Sequence, residues 1–263
     1  MTYPNGEPPL PTTGAPYPGA PVTYVEAVAA GVTLRASRWG MRDVAFALLI
    51  AIVVPTLILG LVLAAGVSST SGAVLIASLA LPWLGFGLYP WWAARAKGNG
   101  VKVDLGFTLR RSDWLWGIGG GIACLVLGGT VGALTERIFG SFDSAAGSAL
   151  DKTDTSRWVV IAFSLCALVL APLFEELCFR GLVFASVAKW ASSRGLPGIP
   201  WATVASAALF AAIHLEPVRF PLLLTIGLVL SWLRVRTGRV GASVVAHAFN
   251  NLLGVLELLT GSG

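Results

Sequence analysis

Three short patterns near the C-terminal end of the sequence gather its most chemically capable side chains. The first is Glu175-Glu176-Leu177-Cys178-Phe179-Arg180, the second Phe210-Ala211-Ala212-Ile213-His214, and the third His247-Ala248-Phe249-Asn250-Asn251. His214 and His247 are the chain's two histidines, and both stand in apolar runs. Residues four apart share a face of an α-helix, so Glu176 can pair with Arg180, and His247 lies on one face with Asn251. Glu175 is turned about 100° from Glu176. Only one of the two glutamates is therefore expected to point at a given cluster. With Glu176 matched by Arg180, Glu175 is the carboxylate without a local partner. A carboxylate, two imidazoles and an amide drawn from three helices suit hydrolysis. The carboxylate can take a proton from water, and one histidine can share that water or donate to the leaving group. The other histidine, with Asn251, can hold an oxyanion. Each piece also has a plainer reading: histidine and asparagine in membrane helices often serve as interhelical hydrogen-bonding residues. A Glu–Arg pair four apart is most often structural, and Glu176 and Arg180 read as such a pair.

Glu-Glu-x-x-x-Arg, then Phe-x-x-x-His, then His-x-x-x-Asn, in this order on successive helices, resemble the CPBP family. This is the CAAX-protease and bacteriocin-processing group of intramembrane endopeptidases, also called Abi proteins. The resemblance covers about residues 158–256 and is complete at every motif position: Glu175, Glu176, Arg180, Phe210, His214, His247 and Asn251. It implies that Glu175 activates water with His214, that His247 and Asn251 stabilise the oxyanion, and that Arg180 orients the glutamate pair, with Phe210 in support. It also implies a bundle of about eight spans, a site open toward the cytoplasm, and a peptide or protein substrate, prenylated or otherwise membrane-anchored.

Metal is the open branch. Two histidines and a glutamate are the ligand set of a catalytic zinc site, which would be Glu175, His214 and His247. There is no His-Glu-x-x-His pair, and using Glu175 as a ligand leaves Glu176 as the remaining base. The expectation is therefore no cofactor, with zinc as the alternative.

The elements that must position these residues follow from composition. Of 263 residues, 56% are hydrophobic and 12% charged, against roughly a quarter charged in a soluble domain. So little polar surface cannot clothe a water-soluble globule, and the solvent of this chain is lipid. No alternation of the β-barrel kind appears, which leaves helices as the spanning structure. The net charge of +5 is best read as Lys and Arg on the cytoplasmic side of the spans, not as a nucleic-acid surface. Cys124, Cys166 and Cys178 lie in apolar runs without ligand-like spacing and read as small buried hydrophobes. No cleavable signal peptide is expected.

The fold expected is an all-α polytopic transmembrane bundle of about seven spans, eight being the alternative. Residues 1–40 form a proline-rich disordered tail (residues 2–22) and an interfacial helix (residues 23–40); residues 41–263 form the transmembrane domain. Uncharged runs at 44–65, 73–94 and 114–135 can each cross about 30 Å of hydrocarbon. The later runs, 158–174, 199–215, 220–233 and 240–256, are shorter. Trp39, Trp91, Trp92, Trp114, Trp116, Trp158, Trp201 and Trp232 mark span ends as an aromatic belt.

Placing Arg35, Arg38, Arg42, Arg95, Lys97, Lys102, Arg110 and Arg111 in the cytoplasm, together with Arg234, Arg236 and Arg239, fixes the number of crossings. It requires residues 158–194 to cross once, as one long helix kinked near Pro172. The N-terminus is then cytoplasmic, in a plasma-membrane protein. Two other functions compete with the peptidase. A proton-coupled transporter would predict two matching halves, whereas the first three spans carry no ionisable group. A scaffold or immunity protein would have kept the fold and lost catalysis.

Overall fold

The computed structural model describes residues 15–142 and 156–260, and every regular element among them is a helix. A short helix α1 (Val22–Ala29) precedes α2 (Met41–Ala64), α3 (Gly72–Ala96) and the single turn α4 (Val101–Asp104). Then come α5 (Arg111–Phe139), α6 (Arg157–Ser192), α7 (Gly198–Ile213), α8 (Phe220–Thr237) and α9 (Gly241–Thr260). Six of these, α2, α3, α5, α6, α8 and α9, are long and apolar enough to cross a membrane. The chain is an integral membrane protein. The seventh expected span is α7, whose 16 residues extend about 24 Å at 1.5 Å per residue, short of the hydrocarbon thickness.

Residues 157–192 run as one unbroken helix of 36 residues, which is the single crossing that the charge pattern required. Near Pro172 it carries a π-turn at Cys166–Leu170, and a second π-turn spans Leu177–Val183. The N-terminal half of α6 is partly open, whereas every residue from Glu176 to Ala188 is buried. Glu175 and Glu176 sit at the boundary between the two halves.

The helices approach closely where side chains are absent. A Cβ on Gly85 would lie 2.2 Å from the carbonyl oxygen of Ala47, so α3 can touch α2 there only with glycine. Buried aspartates tie the basic end of the bundle. Asp43 accepts from Lys97, from the Tyr89 hydroxyl and from the Gly40 backbone. Asp104 accepts from Trp39 Nε1 at 3.0 Å and from Asn99. Asp113 takes two hydrogen bonds from Arg239, at 2.6 and 3.2 Å.

Several expectations change here. Residues 23–40 are helical only to Ala29, and the rest is an irregular strap held by Asn99 and Lys97. Trp39 is no belt residue: its indole is 2% exposed because Asp104 accepts its N–H. Trp91, Trp92, Trp114, Trp116, Trp158, Trp201 and Trp232 are exposed, as a belt requires. Residues 1–14 of the proline-rich segment lie outside the described residues. Residues 15–22 pack on the bundle, where Tyr17 is buried and its phenol is pushed above its ordinary pKa by desolvation. The expected outer loop between α5 and α6 is largely residues 143–155, also outside the described residues. Cys124 and Cys178 are buried, Cys166 is half-buried, and all three are free.

Candidate active site

Glu175 and Glu176 end the α-helical turn between the two π-turns of α6. His214 is the residue after the last turn of α7, and His247 lies in the second turn of α9. Glu175, Glu176 and His247 meet where α6 and α9 pack, and His214 joins them through Phe210.

The centre of the cluster is the His247 ring. Its Nδ1 lies 3.0 Å from Glu176 Oε1, and its Nε2 lies 3.9 Å from Glu175 Oε2. Glu176 Oε1 also accepts from Arg180 Nη1 at 2.9 Å, with both side chains fully buried. An ionised carboxylate can only accept, so the Nδ1 that faces Glu176 is assigned the proton. In neutral His247 the lone pair then belongs to Nε2, on the side of Glu175. Glu175 is the more open of the two carboxylates, 16% exposed against none for Glu176.

The expectation that a single glutamate would serve the cluster is thus corrected. Glu176 does pair with Arg180, and it also holds His247. The rotation of about 100° between successive residues separates the two carboxylates, but an imidazole offers nitrogens on two sides and meets both.

Phe210 is the hub of the remaining contacts. Its ring stands edge-on to His247 at 5.6 Å between centroids and to His214 at 4.9 Å, and it lies 4.6 Å beneath the Arg180 guanidinium. His214 Nδ1 contacts the Phe210 carbonyl oxygen at 2.7 Å, which leaves Nε2 for other partners. The helix stops at once: Leu215, 79% exposed, has φ of 56°, a left-handed conformation that a leucine adopts at a cost of about 1–2 kcal/mol. His214 makes no hydrogen bond to Glu175 or His247 among the described residues.

Asn251 stands differently from expectation. Its Nδ2 donates to the carbonyl oxygen of Ala167 at 3.0 Å. The cause is local to α6. In the π-turn the Ala171 N–H bonds back to Cys166, five residues earlier, so the next bond in the series would run from residue 172 to Ala167. Residue 172 is proline and has no N–H. The amide of Asn251 supplies the missing donor and ties α9 to α6. One of its two amide hydrogens is committed there.

In the second π-turn the Phe184 N–H already bonds back to the Phe179 carbonyl, and two side chains from other helices add donors. Ser206 Oγ donates to the Phe179 carbonyl at 2.8 Å, and Arg234 Nε donates to the Arg180 carbonyl at 3.2 Å. Arg180 itself donates to the Gly227 carbonyl on α8 at 2.9 Å. A Cβ at Gly227 would come within 3.0 Å of the α7 backbone at Ala207, so glycine lets α7 and α8 close around the pair. Arg234 is 1% exposed and Arg239 9%, so of the three arginines at the end of α8 only Arg236 is open to solvent. Sequence reasoning passed over Ser206, Gly227 and Arg234. The signal was present for Ser206, which shares a face with Phe210 and His214 at intervals of four.

Among the described residues no three His, Cys, Asp or Glu side chains converge closely enough to hold a metal ion. The zinc set of Glu175, His214 and His247 is divided by the Phe210 ring, which packs against both imidazoles.

Comparison with known proteins bears on the same segment. Residues 157–253 match the family model described as Type II CAAX prenyl endopeptidase Rce1-like. The CAAX-protease resemblance carried by the three motifs is thereby borne out over α6 to α9. The chain is also similar to a protein of Bacillus subtilis (strain 168) named "Putative membrane peptidase YdiL", with 24% identity over 164 residues. That similarity spans 61% of each chain, so the protein covers somewhat under two thirds of this relative's length. No solved structure matches.

Proposed function

We propose, from the match of residues 157–253 to the CAAX prenyl endopeptidase family, that this protein is an intramembrane endopeptidase. Its substrate is a membrane-associated peptide chain, with a prenylated C-terminal segment as the favoured class. The observation that carries the reading is His247 held between two carboxylates, Glu176 at 3.0 Å and Glu175 at 3.9 Å, with Phe210 joining it to His214.

In this reading Glu175 takes a proton from water as the water oxygen attacks the scissile carbonyl carbon, with His214 Nε2 sharing that water. The charge that develops on the carbonyl oxygen is met by His247 Nε2–H in its protonated form and by the second amide hydrogen of Asn251. Glu176 and Arg180 fix the imidazole so that little reorganisation is needed during the reaction. When the C–N bond breaks, the proton held by Glu175 passes to the leaving amine. No metal enters the scheme. The orientation proposed is N-terminus in the cytoplasm of a plasma-membrane protein, because Arg38, Arg42, Arg95, Arg111 and Arg236 then all lie inside.

The test is cleavage of matched peptides with and without a prenyl group by purified protein, wild type against Glu175→Gln. Cleavage lost in the variant supports the assignment, and equal cleavage by both proteins removes it. Membrane-impermeant thiol labelling of Arg236→Cys tests the orientation. Reaction only from the outer side would reverse it.

A further inference from the structure

A cavity of about 830 Å³ lies between the start of α2 and the last turns of α6. It is separate from the site above: Lys189 follows Glu176 by thirteen positions, about 20 Å along the helix. Five cationic side chains line it, Arg38, Arg42, Lys97, Lys189 and Arg194, with Asp43 as the carboxylate among them.

Most of these charges are already engaged. Asp43 is taken by Lys97 at 2.6 Å, by Tyr89 and by the Gly40 N–H. Lys189 donates to the Ser37 carbonyl and hydroxyl and to the Trp39 carbonyl, and lies 4.0 Å over the Trp39 ring. Arg194 stacks on Trp190 at 4.6 Å. The guanidinium groups of Arg38 and Arg42 make no hydrogen bond or ion pair among the described residues. Ser186, 1% exposed, also lines the cavity, and its hydroxyl has no partner there. Two uncommitted guanidinium groups and an orphan buried hydroxyl facing one cavity ask for an anion with several acceptor oxygens.

The opposite wall is apolar. Phe46, 52% exposed, lines the cavity and begins the outward face of α2 that continues through Leu49, Val53 and Leu57. In a helix long enough to span the membrane, that exposed apolar face suits acyl chains. The cavity therefore joins a cationic mouth to a lipid-facing helix.

We propose that this cavity binds an anionic phospholipid, its phosphate forked by Arg38 and Arg42 and one acyl chain lying along the Phe46 face of α2. Guanidinium groups suit the task because their planar donors match phosphate oxygens in pairs. Cations near an anionic lipid surface strengthen binding by about fivefold each.

The experiment places the full chain in nanodiscs of phosphatidylcholine containing a minority of phosphatidylglycerol, and counts co-released lipids by native mass spectrometry. Selective retention of phosphatidylglycerol is expected. Arg38→Gln/Arg42→Gln should reduce it by about 25-fold, while Arg111→Gln, an exposed arginine outside the cavity, should leave it unchanged. Phe46→Ser should weaken lipid retention without altering protection by inorganic phosphate against thermal unfolding. Unfolding midpoints in neutral detergent, unchanged in all three variants, separate lost binding from lost folding. Equal loss in Arg111→Gln, no preference for phosphatidylglycerol, or inorganic phosphate protecting as strongly as the lipid would each overturn the proposal.

Discussion

The amide of Asn251 on α9 donates to the carbonyl oxygen of Ala167 on α6, 84 residues away in sequence and 3.0 Å away in space. That carbonyl needs an outside donor because Pro172 stands five residues on, at the position the π-turn would have used. Asn251 and Pro172 are therefore expected to be thermodynamically coupled without touching. Asn251→Ala should cost about 1–3 kcal/mol, the penalty of an unsatisfied buried acceptor. Pro172→Ala restores an N–H at position 172, so in its background Asn251→Ala should cost much less. A double-mutant cycle of thermal unfolding in detergent measures this. Additive losses would mean that Asn251 does not complete the turn.

Glu175 and Glu176 should part company in their variants. Glu175→Gln touches one half-open carboxylate at 3.9 Å from its neighbour. It should abolish peptide cleavage and leave the unfolding midpoint nearly unchanged. Glu176→Gln leaves the fully buried Arg180 without its counter-ion. Breaking such a pair from one side costs about 3–5 kcal/mol, so this variant should lose both stability and activity. If Glu176→Gln melts like the wild type, the buried pair does not anchor these helices.

Phe210 packs against both imidazoles and under Arg180. Phe210→Ala should destabilise by about 3–5 kcal/mol through the cavity it opens. Phe210→Leu keeps most of the volume and loses the ring face. It should remain folded while cleavage falls about tenfold, an effect of about 1.4 kcal/mol on the barrier. A Phe210→Leu protein with unaltered kcat/KM would show that the ring serves packing alone.

Chelation separates the two hydrolytic schemes. The described residues contain no metal-binding group of three, and the proposed reaction runs through Glu175. Cleavage should persist after exhaustive treatment with a strong chelator. Activity that is lost and then returns on adding zinc would require Glu175, His214 and His247 to draw together around an ion, and would replace the water-activating role given to Glu175.

Much of this protein is settled by one-dimensional pattern. The scarcity of charge commits the chain to lipid, and lipid commits it to helices, because an unpaired backbone group has no water to turn to there. The distribution of arginine and lysine is enough to require that residues 158–194 cross once, and α6 is one helix of 36 residues. The motif residues Glu175, Glu176, His214 and His247 are legible as a candidate site because ionisable groups are costly in a membrane and these gather on three neighbouring helices.

What the pattern could not carry is anything that depends on contact across helices. Helical phase places Glu175 and Glu176 on different faces, yet His247 reaches both, since the position of a third helix decides which faces it sees. Trp39 and Arg234 look like boundary residues by type, but Asp104 and the Arg180 carbonyl give each a buried partner. The orphan carbonyls of the two π-turns arise from backbone geometry that no residue spacing announces. Asn251 and Arg234 acquire their roles only when distant helices bring them to the Ala167 and Arg180 oxygens. Composition dictates which solvent the chain must satisfy. Only packing determines which distant group satisfies each buried donor and acceptor.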